Sequence, residues 1–406
     1  ILVVNPIMLS EAGMDFGGVF TATALSAVIA TLLMALLANY PFGLAPGMGL
    51  NAFFTYTIVL GPMGKSWQFA LTAVLIEGII FMIMSFFNIR EAIFSAIPKN
   101  LKIAVSVGIG LFISFLALSN TGVVIPGDGT IVALGDLKSG PALVSLIGIV
   151  ITGVLVARNV KGGLLIGIVL TTLIGIPFGV TVLPENFSSI VSLPPSVKDV
   201  AFQFVGFEEI FSIEMVIVVF TFLFVDVFDT VGTLAGVASK ADMLDEDGNL
   251  PKVGAALMSD AIGTTVGACL GTSTVTTFVE SASGVAEGGR TGLTTIVVGL
   301  LFILVIFISP LAKIVPPYAT AGALIYVGVL MTSSLARIKW SDLTEATPAF
   351  VTAASMPFTF SITEGIAFGF ITYCVMKLGT GRWRELNFCV ILVALLFIFK
   401  FVVLDH

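Results

Sequence analysis

The chain contains more long apolar stretches than a protein that folds in water can bury. Runs of about 17 to 25 mostly apolar residues are long enough to cross the hydrocarbon core of a bilayer as helices. They lie near 17–39, 66–87, 102–119, 142–157, 163–183, 213–238, 254–270, 291–309, 319–336 and 385–405. Residues 1–10 resemble the end of a further spanning helix, and we expect this first segment to be truncated.

The composition agrees with a membrane protein. Charged residues make up 11% of the chain and hydrophobic residues 57%, against roughly 25% charged residues in a typical soluble domain. The mean hydropathy is +1.12. The sequence therefore predicts an all-α polytopic membrane protein with about eleven clear spans.

The charges and the reactive side chains exclude several function classes. A net charge of -7 argues against nucleic-acid binding, which needs a basic surface. Cys269, Cys374 and Cys389 lie in apolar stretches and do not form a disulfide framework. The single histidine is His406, the last residue. Any proton that the protein handles within the bilayer must therefore be held by carboxylates.

Three segments are too irregular to be ordinary spans. They are 40–54 ("YPFGLAPGMGLNAFF"), 271–289 ("GTSTVTTFVESASGVAEGG") and 346–378, which Pro357 interrupts. At bilayer depth, irregular backbone is tolerated only inside the protein or beside a wet cavity. We expect each of the first two to be a short extended piece followed by a half-helix, beginning near Gly49 and Val279. Such a pair of interrupted segments indicates the binding site of a transporter.

The two halves of the chain resemble each other. Residues 97–113 align with 315–331 without gaps, so that Gly110 matches Gly328, and residues 24–41 align with 256–274 with a slip of one residue. These matches predict an internal repeat. Positive residues in short loops mark the cytoplasmic side, and they give the two repeats opposite orientations. These residues are Arg90, Lys99, Lys102, Arg158, Lys161, Arg337, Lys339, Lys377, Arg382 and Arg384.

An apolar helix at 220–233 ("FTFLFVDVFDTVGT") carries two acids. Asp226, Asp229, Thr230 and Thr233 are spaced so that they form one polar stripe. Each central Asp costs about 2.5 to 3.5 kcal/mol to insert into a membrane. We therefore expect the stripe to face a polar cavity, the alternative being a buried pair that only joins helices.

Two further polar residues occupy the interrupted segments. Glu280 stands where the second half-helix is predicted to begin, either as a ligand anchor or as a simple helix-start carboxylate. Asn51 follows the Gly-rich turn of the first, where its amide either binds a ligand or caps the helix. With no Arg or Lys beside these acids, the residues suit a neutral polar ring, on which an aromatic side chain such as Phe278 would stack.

Together these motifs resemble a known family over essentially the whole chain. The stretches "ILVVNPIML", "PFGLAPGMGLNAFF", "FVDVFDTVGT", "TSTVTTFVESASG" and "MPFTFSITEGIAFGF" resemble the AzgA-like branch of the nucleobase–ascorbate transporters, which are guanine, hypoxanthine and adenine permeases. Relatives in the uracil and xanthine branches have a glutamate and often a histidine in segment eight, where this chain has aspartates.

The resemblance implies a fold. The family is similar to the uracil permease, with two inverted repeats of about seven segments and two short antiparallel strands at the midplane in segments three and ten, here near 41–46 and 272–278. Fourteen segments fit only if 346–378 forms a pair of short helices and 385–405 is separate. The implied core domain comprises 1–101 and 213–310, and the implied gate domain comprises 102–212 and 311–406.

The resemblance also implies a mechanism. We expect proton-coupled uptake of purine bases across the bacterial cytoplasmic membrane, by elevator-like movement of core against gate in a homodimer. The chain would be a lipid-embedded transporter and not an enzyme, with no cofactor and the proton as coupling ion. Guanine and hypoxanthine are the expected substrates, with adenine as a further candidate.

Roles for individual residues follow by position. The substrate is expected to contact Glu280, Asp229, Asn51, Phe278 and Thr277. Proton coupling is assigned to Asp226 and Glu280. Supporting positions are Asp260, Thr230, Ser281 and Glu77, with a purely structural reading preferred for Glu77.

Other functions remain as alternatives. A transporter of the same fold could carry uracil, xanthine or an inorganic anion, although three acids disfavour an anion. An intramembrane aspartyl protease also needs two aspartates, but on separate helices and with a Gly-x-Gly-Asp motif that this chain lacks. A channel is compatible with the composition, whereas the interrupted segments favour a carrier.

Overall fold

The structure is a computed structural model of the chain. It describes residues 1–61, 63–87, 98–127, 129–181, 191–240, 243, 250–278, 280–286 and 288–403. Arg90, Val279 and His406, which were named above, lie outside the described residues.

The first half of the chain supplies seven helices and three strands among the described residues. They are α1 (Val4–Glu11), α2 (Phe16–Leu33, continued as a π-helix over Met34–Ala38), β1 (Leu44–Pro46), α3 (Met48–Ala52, continued as a π-helix over Phe53–Val59), α4 (Trp67–Phe86), α5 (Lys99–Asn120), β2 (Val124–Gly127), β3 (Thr130–Leu134), α6 (Gly140–Ala157) and α7 (Gly163–Gly175). Strands β2 and β3 form a separate antiparallel hairpin.

The second half begins with a short helix and contains the aspartate helix. Its elements are α8 (Phe207–Ile210), α9 (Ile213–Lys240), α10 (Val253–Leu270), β4 (Val275–Thr277), α11 (Ser281–Ala286), α12 (Gly292–Ile306), α13 (Ser309–Ile314), α14 (Pro317–Thr332), α15 (Leu343–Thr359), α16 (Ile362–Gly379) and α17 (Phe388–Val403). Every apolar run predicted from the sequence coincides with one of these helices.

The expected count of fourteen segments depends on how the C-terminal part of the chain folds. The stretch 346–378 forms two helices, α15 and α16, which meet at Phe360 in a left-handed backbone conformation with a φ of 54°. Pro357 lies within the last turn of α15, so the helix ends shortly after it. The last apolar run forms the separate helix α17. The predicted pair of helices is confirmed, but with 17 and 18 residues they are longer than expected.

The two interrupted segments meet as a pair of antiparallel strands. Leu44 lies opposite Thr277, and Pro46 lies opposite Val275. The amide of Gly47 donates to the carbonyl of Thr274 at 3.1 Å and extends the pairing beyond the strand ends. Both strands are fully buried. The predicted pair of short antiparallel strands is confirmed, and its position at the midplane stays a prediction.

The inverted repeat is visible where equivalent helices cross. A Cβ placed on Gly110 of α5 would lie 2.8 Å from the carbonyl oxygen of Gly328 in α14, and one placed on Gly328 would lie 2.6 Å from that of Gly110. These glycines are matched in the internal alignment. Each residue faces its own equivalent, as expected when a pseudo-twofold axis passes between the two helices.

Helix packing separates two groups of elements. Helix α2 packs on α10 and α12, and α10 packs on α4, whereas α5 packs on α14 and α15. The first group falls within the predicted core domain and the second within the predicted gate domain. The predicted boundary between residues 101 and 102 lies inside α5. The division into core and gate stays a prediction.

A network of ion pairs joins α15 to α16 and the loop that follows. The ammonium group of Lys377 is completely buried and lies 2.7 Å from carboxylates of both Glu345 and Glu385. Arg382 lies 2.7 Å from Asp342 and also contacts Glu385. The hydrogen bond from Arg382 lowers the pKa of Asp342 to about 2. Asp342 therefore stays ionised at physiological pH.

We predict that Lys377→Met destabilises the protein by about 3 kcal/mol. The substitution leaves the partly buried carboxylate of Glu345 without its nearest cation, and loss of one member of a buried ion pair typically costs this amount. The melting temperature in detergent is the measurement. Lys198→Met, at an exposed position, is the matched control, and equal melting temperatures for the two variants would contradict the prediction.

Candidate functional site

The paired strands form part of the wall of a cavity of about 450 Å³. This volume is within the usual range for small-molecule sites, roughly 300 to 1,000 Å³. Polar side chains on the wall come from α9, β4 and the turn that follows β4. They are Asp229, Thr276, Thr277 and Glu280, with Phe278 beside them.

The facing wall of the cavity is apolar. It is contributed by α5 and α14, which pack together, and by α7 and α12. The residues are Ile113, Leu164, Leu165, Ile168, Phe302, Val305, Ala323, Val327 and Met331. Most of them belong to the predicted gate domain. The cavity thus lies between a polar face and a face that offers only van der Waals contact.

Two threonines hold the strands in place. The hydroxyl of Thr31 accepts from the amide of Leu44 at 2.9 Å and donates to its carbonyl at 3.0 Å. The hydroxyl of Thr264 contacts Val275 in the same way, at 3.2 and 2.8 Å. Thr31 and Thr264 are equivalent positions in the internal alignment. Each repeat therefore fastens its own strand to its own preceding helix.

Two glycines that flank β1, Gly43 and Gly47, allow neighbouring side chains to approach the backbone closely. A Cβ on Gly43 would lie 2.5 Å from the ring of Phe278, so the ring packs directly on the backbone there. A Cβ on Gly47 would lie 2.5 Å from the methyl carbon of Thr276 and 3.3 Å from a carboxylate oxygen of Asp229. A side chain at position 43 would overlap the ring of Phe278, and a side chain at position 47 would overlap Thr276.

A second group of acids lies behind β4. The hydroxyl of Thr230 donates to Asp226 at 3.0 Å, lies 3.3 Å from both carboxylate oxygens of Asp260, and lies 2.6 Å from the hydroxyl of Thr276. Asp226, Thr230 and Asp260 are completely buried. Asp226 is thus separated from the cavity by the strand, although Asp229, one turn further along the helix, lines it.

The remaining candidates surround the strand ends. The amide oxygen of Asn51 accepts from the hydroxyl of Ser273, and Asn51 does not line the cavity. Ser281 accepts from the amide of Gly43 at 3.0 Å. Glu77 accepts from the hydroxyl of Thr274 at 2.7 Å.

The structure thus divides the predicted site into two layers. Glu280, Asp229, Phe278 and Thr277 line the cavity. The others lie behind or beside the strands: Asn51, Asp226, Asp260, Thr230, Ser281 and Glu77.

Sequence reasoning did not single out Thr276 and Asn5. Thr276 belongs to both layers, because it lines the cavity and contacts Thr230. The alternation of side chains in "TVTT" could have assigned it to the opposite face from Thr277. Asn5 of α1 donates to Thr23 at 2.6 Å and to Thr272 at 2.9 Å. In the sequence, Asn5 could have been singled out because it is a single asparagine in an otherwise apolar first segment.

Comparison with known proteins places the chain in a family. The family model described as "Permease family" (Xan_ur_permease) matches residues 1–368. The chain belongs to this family. It is therefore a multi-pass transporter of the cell membrane and not an enzyme, and the predicted membership of the nucleobase transporters is confirmed.

Relatives of this permease cover its whole length. The adenine permease AdeP of Escherichia coli (strain K12) is 50% identical over 405 residues, with 100% of this chain and 90% of the relative covered. The guanine/hypoxanthine permease PbuG of Bacillus subtilis (strain 168) is 44% identical, with 95% and 89% covered.

A solved structure of similar fold is the transmembrane domain of the bicarbonate transporter BicA from a cyanobacterium. It superposes with a TM-score of 0.65 at 16% identity, with 91% of this chain and 94% of the BicA chain covered. At this identity the likeness concerns the fold alone. It confirms the uracil-permease-like architecture predicted for the permease.

The strand-holding threonines give a stability prediction. Thr264→Val leaves the amide and carbonyl of Val275 without their hydroxyl partner, and an unsatisfied buried polar group costs about 1 to 3 kcal/mol. We expect the melting temperature in detergent to fall, and Thr31→Val to behave alike. Thr264→Ser keeps the hydroxyl and serves as control. Valine and serine variants of equal stability would contradict the role.

Proposed function

We propose that this permease carries purine bases into the cell together with protons. The observation that carries the proposal is the cavity itself, in which two carboxylates and two threonine hydroxyls face an apolar wall. Among relatives at 42% identity or more, those whose names state a substrate are adenine and guanine/hypoxanthine permeases. The likeness in sequence and the chemistry of the cavity therefore favour the same class of ligand.

The polar wall suits a neutral ring with N–H groups. Asp229 and Glu280 accept hydrogen bonds when ionised, and a purine supplies N–H donors. The hydroxyl of Thr277 is buried and has no hydrogen-bond partner among the described residues. Phe278 supports one side of the site by packing on Gly43. An inorganic anion would meet two carboxylates here, which disfavours it.

Adenine is the first substrate that we propose. The two E. coli adenine permeases are 50% and 48% identical to this chain, against 44% and 42% for the two B. subtilis guanine/hypoxanthine permeases. An exocyclic amino group also matches carboxylate acceptors, and adenine carries one whereas hypoxanthine does not. Guanine, which has an amino group at another ring position, is the second candidate.

We assign proton coupling to Asp226, with Asp229 and Glu280 contacting the substrate. Each ionised carboxylate in a membrane span costs about 2.5 to 3.5 kcal/mol. Protonation removes this charge, so movement of the polar core past the apolar gate becomes easier when proton and purine are both bound. The elevator-like movement and the homodimer are parts of this proposal.

The substrate class is tested by competition. Uptake of radiolabelled adenine into cells that express the permease should be inhibited by unlabelled adenine most strongly, by guanine next, and by xanthine and uracil least. Glu280→Gln should reduce uptake at least about tenfold, because it removes an ionised acceptor from the cavity wall. Glu208→Gln, at an exposed position on α8, is the control. Strongest inhibition by uracil would contradict the purine assignment.

Asp226→Asn tests whether Asp226 couples proton movement to purine uptake. The amide is similar in size but does not titrate, so we expect concentrative uptake driven by an inward proton gradient to be lost. Proteoliposomes with an imposed pH gradient give the measurement, and immunoblotting controls for the amount of protein. Accumulation at the wild-type level in the variant would exclude Asp226 as the coupling residue.

A further inference from the structure

Thr276 is the residue that joins the two layers of the site. Its side chain is buried in β4, it lines the cavity, and its hydroxyl lies 2.6 Å from that of Thr230. Thr230 in turn contacts carboxylates of two helices, Asp226 of α9 and Asp260 of α10. A continuous chain of hydrogen-bonding groups therefore runs from the buried acids to the cavity wall.

The hydrogens in this chain can be counted. A threonine hydroxyl has one hydrogen and two lone pairs. Thr230 has three polar neighbours within 3.3 Å, of which two are carboxylates. It can donate to only one of them. Thr230 can bond to Asp226, Asp260 and Thr276 at once only when two of these neighbours donate to it.

The protonation state of the two acids decides which of these neighbours can donate to Thr230. With both acids ionised, Thr230 donates to a carboxylate and must accept from Thr276, whose hydrogen then points away from the cavity. With one acid protonated, that acid donates to Thr230, and Thr230 can donate to Thr276. The hydrogen of Thr276 then becomes available to an acceptor in the cavity. Protonation of Asp226 or Asp260 thus determines whether the hydroxyl of Thr276 can donate a hydrogen bond into the cavity.

We propose that Thr276 couples protonation of the Asp226–Asp260 pair to purine binding. The proposal rests on the proposed function, since it assigns the link between proton and substrate within the same site. The chemistry requires a ligand with a ring-nitrogen acceptor, which every purine base has. Thr276 acts here as a positioning residue, because it transmits the protonation state of other groups and is not itself titrated.

Other charged groups surround this pair. Glu77 of α4 accepts a hydrogen bond from Thr274, the residue before β4, and Asp229 and Glu280 line the cavity. On α5, which also packs against α9, the charged residues are Lys99 and Lys102 at its beginning. A change in the pH dependence of binding therefore has several possible origins, and the test must isolate the hydroxyl of Thr276.

Adenine binding to the purified protein across a range of pH values provides this test. If one proton is taken up with the purine, the apparent Kd of the wild type rises about tenfold per pH unit over the range where the free pair is ionised. Thr276→Val keeps the shape of the side chain and removes the hydroxyl, so we expect the pH dependence to become nearly flat. Thr276→Ser should retain it.

Further variants separate the possible outcomes. Thr230→Val breaks the same chain one residue earlier and should also flatten the profile, which covers the case in which Thr276→Val does not fold. Thr295→Val is the matched control, because this buried hydroxyl lies within hydrogen-bond distance of the backbone carbonyls of Tyr40 and Gly292 and does not line the cavity. It should keep the wild-type slope.

The outcomes distinguish this inference from the proposed function. A wild-type slope in both valine variants at positions 276 and 230, or a flat profile in Thr276→Ser, overturns the role of Thr276 while leaving proton-coupled binding intact. Absence of adenine, guanine and hypoxanthine binding by the wild type overturns the proposed function itself. A flat wild-type profile with normal purine binding overturns the proton coupling.

Discussion

Backbone groups at bilayer depth must find hydrogen-bond partners within the protein, and the pairing of β1 with β4 meets this requirement where two helices are interrupted. Neither strand has more than three residues, so each depends on the other and on a threonine of the preceding helix. The arrangement of the site follows from this pairing. It places Thr276 and Thr277 beside the cavity and brings Gly47 close to Asp229.

The same strand also separates two kinds of acid. Asp229 and Glu280 lie beside the cavity, where a ligand can reach them, whereas Asp226 and Asp260 are buried behind β4. A carboxylate in contact with the substrate and a carboxylate shielded from it can change protonation at different steps of a transport cycle. Two aspartates one turn apart on α9 are therefore placed for different tasks.

The sequence predicted the helices and the interrupted segments well, because long apolar runs and clusters of Gly and Pro are local signals. It also matched Gly110 with Gly328 as equivalent positions of the repeat, although it did not predict that the two glycines contact each other. Helical spacing alone placed Asp226 and Asp229 on a common face and did not show what lies opposite each residue, so their different roles were predicted only from the family resemblance. Thr276 was missed for a similar reason: its importance comes from Thr230, which is 46 residues away. Asn51 was expected at the substrate; its amide oxygen accepts from the hydroxyl of Ser273, and its contact with the substrate stays a prediction.

The central claim is that a neutral purine and a proton bind together. Calorimetric titration of the purified permease with adenine at pH 7, in buffers with different heats of ionisation, gives the number of protons taken up per purine bound. The account predicts an uptake approaching one proton in the wild type. Binding of adenine with no proton uptake, or with proton release, would contradict it.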